Sequence, residues 1–139
     1  MADELKGKII AVDFDSTIAH YKKFKGHDNF GKLITGADWA LGKFKEFGAT
    51  IIIHSCRSNT EGMKKYLEEN KIPYDYINFS PRNGEFQLNG KKVAADIYID
   101  DKGVCFRGQW SDTFRVVMNF RPWEKSIAGT DSVTLTHGL

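Results

Sequence analysis

The sequence is short of the features that mark specialised protein classes. Only two cysteines occur in 139 residues, Cys56 and Cys105, far apart and outside any C-x-x-C pattern. That gives no disulfide framework, so reduced thiols are the expectation, with a pairing of the two left open. Three prolines make no proline-rich tract, and there is no repeat, low-complexity stretch or linker. A formal net charge of +2 is too small to argue for nucleic acid or an anionic membrane as partner. No apolar run approaches the roughly 20 residues of a membrane-crossing helix. The opening MADELKGK lacks the apolar core of a secretory signal, so the cytoplasm is the expected compartment.

What is present is an ordinary globular composition, 41% apolar and 27% charged, in a chain long enough for one hydrophobic core. Three short, mostly β-branched apolar runs, KIIAVDF (8–14), TIIIH (50–54) and IYID (97–100), read as strands buried on both faces of a parallel sheet. YDYINF and GVCFRG are weaker strand candidates. Between them, residues 35–48 place Ala37, Ala40, Leu41, Phe44 and Phe47 at helical spacing, with Thr35 as N-cap and Gly48 as stop. A second helix opens with Ser58 and Glu61 in capping-box spacing and ends before Pro73. A third is expected over about 111–120. Strands alternating with helices predict an α/β fold with a Rossmann-like parallel sheet covered on both sides, an α/β/α three-layer sandwich. The segment 1–125 forms the domain, and the polar stretch 126–139 is expected to be a loosely held tail.

In open parallel sheets ligands bind beyond the carboxyl ends of the strands. The first strand delivers Asp13 and Asp15, the second His54-Ser55-Cys56-Arg57, the third Asp100 and Asp101. Singly, each has an ordinary explanation as a loop acid, a turn serine or a solvated lysine such as Lys92. Together, four acids at one sheet edge would repel one another without a cation. Oxygen-only ligands suit magnesium, which completes its shell with water and a substrate phosphate. The expectation is a magnesium–phosphate site.

These residues resemble the haloacid dehalogenase superfamily of phosphohydrolases. DFDST (13–17) matches its first motif, IIIHS ending in Ser55 the second, Lys92 in KVAAD the third (with Lys91 as fallback), and IYIDD the fourth. GKLITGADWALGKFKEFGATIIIHSCRSN, IPYDYIN, ADIYIDDKG and FRPW extend the resemblance to a small subgroup without a large cap domain. His54-Ser55 departs from the more usual aromatic and threonine, but serine keeps the hydroxyl.

The resemblance implies a magnesium-dependent phosphomonoesterase. Asp13 would be the nucleophile and Asp15 the general acid and base, which favours phosphate esters over halides. The ion would be held by Asp13, Asp100 and the Asp15 carbonyl, with Asp101 behind them orienting a water or Lys92. Ser55 with its amide, Lys92, and Arg57 if it does not pair with an acid, would bind phosphate. His20, Tyr21, Lys22, Lys23 and Lys25 lie in a short flap that either touches substrate or is merely a solvated basic loop. The substrate is then a nucleotide, a sugar phosphate or a macromolecular phosphoester at an open site. Two alternatives are a receiver-like regulatory phosphoacceptor, whose acids and lysine come in a different order, and an inactive phosphate-binding module. A cysteine phosphatase is disfavoured because Arg57 follows Cys56 immediately, and Cys56 is expected to be a small packing residue.

Overall fold

The computed structural model describes residues 3–21 and 29–124. Lys22, Lys23 and Lys25 of the expected flap, and the 126–139 tail, lie outside the described residues.

Strands β1 (Ile9–Val12), β2 (Thr50–Ile53), β3 (Tyr76–Ile77) and β4 (Ile97–Ile99) form one sheet in the order β3-β2-β1-β4. Every pairing is parallel. The fold is thus α/β of Rossmann-like character. Register places Ile9, Ile10, Ala11 and Val12 beside Thr50, Ile51, Ile52 and Ile53, so neighbouring strands send side chains to the same two faces in turn. Ile10, Val12, Ile51 and Ile53 enter one apolar cluster with Leu41, Met63 and Leu67. Ile9, Ala11 and Ile52 enter a second with Val93, Tyr76 and Ala95. Strands β1 and β2, without a solvent face, read as unbroken apolar runs, which is why they were visible in the sequence. Strand β4, expected to be buried in the same way, instead leaves Ile97 and Tyr98 exposed.

The helices are α1 (Ala37–Glu46), α2 (Thr60–Glu69), α3 (Pro81–Glu85) and α4 (Trp110–Met118). Their caps differ from expectation. Thr35 does not cap α1. Gly36 does, at φ 97 and without a side-chain bond, in a left-handed conformation that costs glycine little. In α2 the cap is Asn59, one residue after the expected Ser58. Its Oδ1 accepts from Gly62 N–H at 2.9 Å, so Ser58 and Glu61 do not form a reciprocal box. The one-turn helix α3, capped by Ser80 with Pro81 following, was not foreseen. YDYINF shrinks to the two residues of β3, and GVCFRG (103–108) is not a strand. Gly108 lies at φ 93 there, and Phe106 turns to the Trp110 ring, with centroids 4.9 Å apart.

The chain builds outward from β1 to β2 and β3, then returns to add β4 on the other side of β1. The reversal falls between β1 and β4. Connections leaving those two carboxyl ends part in opposite directions, and a crevice opens between them.

Candidate functional site

Hydrogen bonds continue the sheet past its strand ends and bring the acids into line. Asp13 N–H donates to the Ile99 carbonyl at 2.9 Å, and His54 N–H to Val12 at 2.8 Å. Asp13, Asp100 and Ser55 therefore leave the sheet at neighbouring points. Phe14, between the two first-motif acids, is completely buried. It meets Phe30 and Tyr66 edge-on, with centroids 5.6 and 5.3 Å away. This anchor lets the acids on either side of it both reach one cleft of about 420 Å³. Beyond it the chain turns sharply. Ile18 and Ala19 donate their N–H groups to the Phe14 carbonyl, and Ser16 takes φ 64.

Asp13, Asp100 and Asp101 place one carboxylate oxygen each within 4.8 Å of one another. The Asp13 carboxyl is pushed up to about 7. Burial contributes most, then a hydrogen bond with the Asp101 carboxyl and the Asp100 charge, against an opposing pull from the Phe14 N–H. Such a displacement is the response of a half-buried acid that shares a hydrogen bond with a second acid. An all-oxygen set of this kind fits a hard divalent cation. Asp101 stands in this group rather than behind it.

The Asp15 carboxylate lines the same cleft but stands outside this group of three. Arg57 grips it with two bonds, Nε to Oδ2 at 2.8 Å and Nη2 to Oδ1 at 3.0 Å. The Arg57 side chain is only 9% exposed, and its guanidinium lies over the Phe30 ring, 4.7 Å from the centroid. Of the two roles open to Arg57 in the sequence, the structure has the pairing with an acid. Ser55 lines the cleft, but its amide is not aimed at a ligand. That N–H donates to Asn78 Oδ1 at 2.8 Å, while the Ser55 Oγ accepts from Arg57 N–H at 3.1 Å.

Lys92 does not line this cleft. Its ammonium lies 4.6 Å from the Tyr98 ring centroid, and with Lys91 it borders a separate depression of about 170 Å³. The reason is topological. Asp96, four residues on, accepts the Ile9 N–H at 2.8 Å, so this segment is tied to the amino end of the sheet. Lys102, next to the paired acids in DDKG, is the lysine at the cleft, and the strand-end rule could have found it. Cys56 is exposed and lines the cleft, contrary to its expected packing role, and both cysteines are free thiols.

Of the flap residues, Tyr21 lines the cleft, whereas His20 turns to Glu124, with Nδ1 2.6 Å from Oε2. Glu124 also accepts from Ser16 Oγ and from Tyr21 N–H, each at 2.7 Å. Burial alone would raise the Glu124 carboxyl, but the bonds from Tyr21, His20 and Ser16 outweigh it and hold it below the ordinary value. Trp123 Nε1–H donates to the Ser16 carbonyl at 2.6 Å. Nothing in the sequence pattern marked Glu124 as a partner of residues more than a hundred positions away.

No helix among the described residues is long and apolar enough to cross a membrane. No family model and no curated protein matches the chain. A solved structure, of a conserved protein from Bacteroides thetaiotaomicron, is similar over 79% of this chain and 88% of its own, at 24% identity and a TM-score of 0.57; that likeness concerns the fold.

Proposed function

We propose that the chain is a divalent-metal-dependent phosphomonoesterase of the haloacid dehalogenase type, a three-layer α/β/α protein without a large cap. The observation that carries this reading is the convergence of Asp13, Asp100 and Asp101 within 4.8 Å at the crevice between β1 and β4, in a cleft that Asp15 and Ser55 also line. The donor set fits magnesium, held by Asp13 and Asp100 with Asp101 beside them. When bound, the ion supplies the positive charge that lets an anionic nucleophile approach an anionic phosphate.

The chain's own groups then account for the chemistry. An Asp13 carboxylate oxygen attacks phosphorus, forming an aspartyl phosphate as the bond to the leaving oxygen breaks. Asp15, once it has loosened from Arg57 and taken up a proton from solvent, gives that proton to the leaving oxygen. A water then attacks the phosphorus, loses its proton to Asp15, and releases inorganic phosphate and free Asp13.

Arg57 adds a constraint. A protonated carboxyl has less capacity to accept than a carboxylate holding a two-pronged guanidinium. Asp15 must therefore loosen at least one Arg57 bond before acting as an acid. An incoming phosphate competes for the guanidinium, so substrate binding and release of Asp15 are coupled. Lys102 is the lysine positioned for the phosphate. Exposed free thiols suit a reducing compartment such as the cytoplasm.

The test is a panel of phosphomonoesters, from nucleotides and sugar phosphates to polynucleotide ends, assayed with and without magnesium. Asp13→Asn is the near-isosteric control. Metal-dependent multiple turnover that the variant lacks is the expected result. Turnover by Asp13→Asn, or a single slow turnover by the wild type, would overturn the reading.

A further inference from the structure

The turn that carries Asp15 is not held by the sheet alone. Ser16, the next residue, is 5% exposed and has φ 64. This left-handed conformation is uncommon for a residue with a Cβ and persists only where surroundings enforce it. Those surroundings come largely from the far end of the described chain. Glu124 Oε1 takes both the Ser16 hydroxyl and the Tyr21 N–H, Oε2 takes His20 Nδ1, and Trp123 Nε1 binds the Ser16 carbonyl. The Glu124 side chain is only 7% exposed, so these bonds are shielded from competing water. The Trp123 ring lies beside that of His20, with centroids 5.9 Å apart. The opposite side is fixed by close backbone approach. A Cβ on Gly31 would stand 1.9 Å from the His20 carbonyl oxygen, and His20 N–H bonds to Lys32 O at 2.8 Å.

Neither Glu124 nor Trp123 lines the acidic cleft, yet both hold residues that do, Ser16 and Tyr21. We propose that Glu124 and Trp123 are positioning residues. They clamp the 15–21 turn so that Asp15 meets the leaving group and Tyr21 keeps its place in the wall. The inference rests on the phosphomonoesterase reading for its catalytic consequence, but the clamp itself has a readout independent of turnover.

The experiment uses the full chain with Glu124→Ala, Glu124→Gln and Trp123→Phe, reading three quantities. They are steady-state kinetics on p-nitrophenyl phosphate with magnesium, amide hydrogen exchange at Tyr21, and the melting temperature, with kinetics taken well below it. Glu124→Ala should expose the Tyr21 amide to exchange and lower kcat about 10- to 100-fold, the scale of a misplacement near 1 Å. KM should move much less, because the clamp does not touch substrate. Glu124→Gln should recover most of kcat, since its amide oxygen can accept from both Ser16 and Tyr21 and its NH₂ can donate to an unprotonated Nδ1. Trp123→Phe keeps a ring but loses one bond, and should lower kcat by a smaller factor.

If Glu124→Ala does not fold, the Trp123→Phe result decides. A wild-type kcat in Glu124→Ala, or in Trp123→Phe where that variant decides, overturns the clamp. So does equal loss in Gln and Ala, which would assign Glu124 to charge rather than position. A wild type without turnover refutes the phosphatase reading instead. The clamp then stands on Tyr21 exchange, and a Glu124→Ala variant with wild-type protection at that amide refutes it.

Discussion

Asp13→Asn should make the metal-free protein more stable at alkaline pH, and the sign follows from the site. The Asp13 carboxyl titrates at about 7 in the folded chain against an ordinary 3.8. Between those values the folded state holds a proton that the unfolded state has released. Stability contributed at this position therefore falls as pH rises from about 4 to 7 and stays low above that. At about 1.4 kcal/mol per pH unit the whole displacement corresponds to roughly 4 kcal/mol. The carboxyl stands at the edge of a water-accessible cleft, so screening reduces the effect to about 1–2 kcal/mol. Asparagine keeps the shape and removes the charge.

Thermal unfolding followed by calorimetry from pH 4 to 8.5 in EDTA measures it. At pH 8 the variant should melt about 3–10 °C above wild type, and near pH 4 the two curves should coincide. Magnesium should reverse the order at pH 8, because an ion at a hundred times its dissociation constant adds about 2.7 kcal/mol to the state that binds it. Asparagine melting no higher than aspartate in EDTA at pH 8 would refute the account of a half-buried Asp13 pressed by neighbouring acids. Equal stabilisation of both proteins by magnesium would remove Asp13 from the ion site.

Arg57→Ala removes two charged hydrogen bonds from Asp15 and should cost about 1.5–3 kcal/mol in urea unfolding; unchanged stability would show that the pair is loosened by solvent. Lys102→Ala should lower kcat/KM for phosphomonoesters about tenfold or more, whereas Lys92→Ala should leave it near wild type. The reverse pattern would return the phosphate to Lys92. Ile52→Ala, in the core between β1 and Tyr76, should cost about 2–5 kcal/mol while kcat per folded molecule stays unchanged; a loss confined to kcat would mean that the sheet is strained at the site rather than weakened.

The strands were legible because their signal is local. Ile9–Val12 and Thr50–Ile53 are buried on both faces, and burial of that kind writes a continuous apolar run. The acids were legible for a related reason, since the strand ends fix where side chains can converge in a parallel sheet. Lys92 went astray because its position depends on the path of a connector. That path includes the unforeseen α3 and ends at the Asp96 bond to the Ile9 amide. Helix caps were misplaced by a single residue at Thr35 and Ser58, because Gly36 and Asn59 are equally plausible cap types and only backbone geometry separates them. Glu124 was invisible for a deeper reason. Its meaning lies in a contact 108 residues distant, with Ser16, and one buried glutamate has no periodicity to reveal it.

Charge balance in the cleft links these observations to the proposed chemistry. Among the described lining residues the cations are Arg57 and Lys102, and the acids are Asp13, Asp15, Asp100 and Asp101. Arg57 is committed to Asp15 by two bonds, which leaves Lys102 to face three carboxyls. Burial and these neighbouring acids hold a proton on Asp13 toward neutral pH, which would blunt it in the proposed role of nucleophile. A divalent cation would supply the two positive charges that the formal count lacks and would free Asp13 to ionise. A phosphate monoester would then bring enough negative charge to draw Arg57 from Asp15. On this reasoning ion binding should come first, Arg57 should move second, and Asp15 should take up the proton it donates only once substrate is in place.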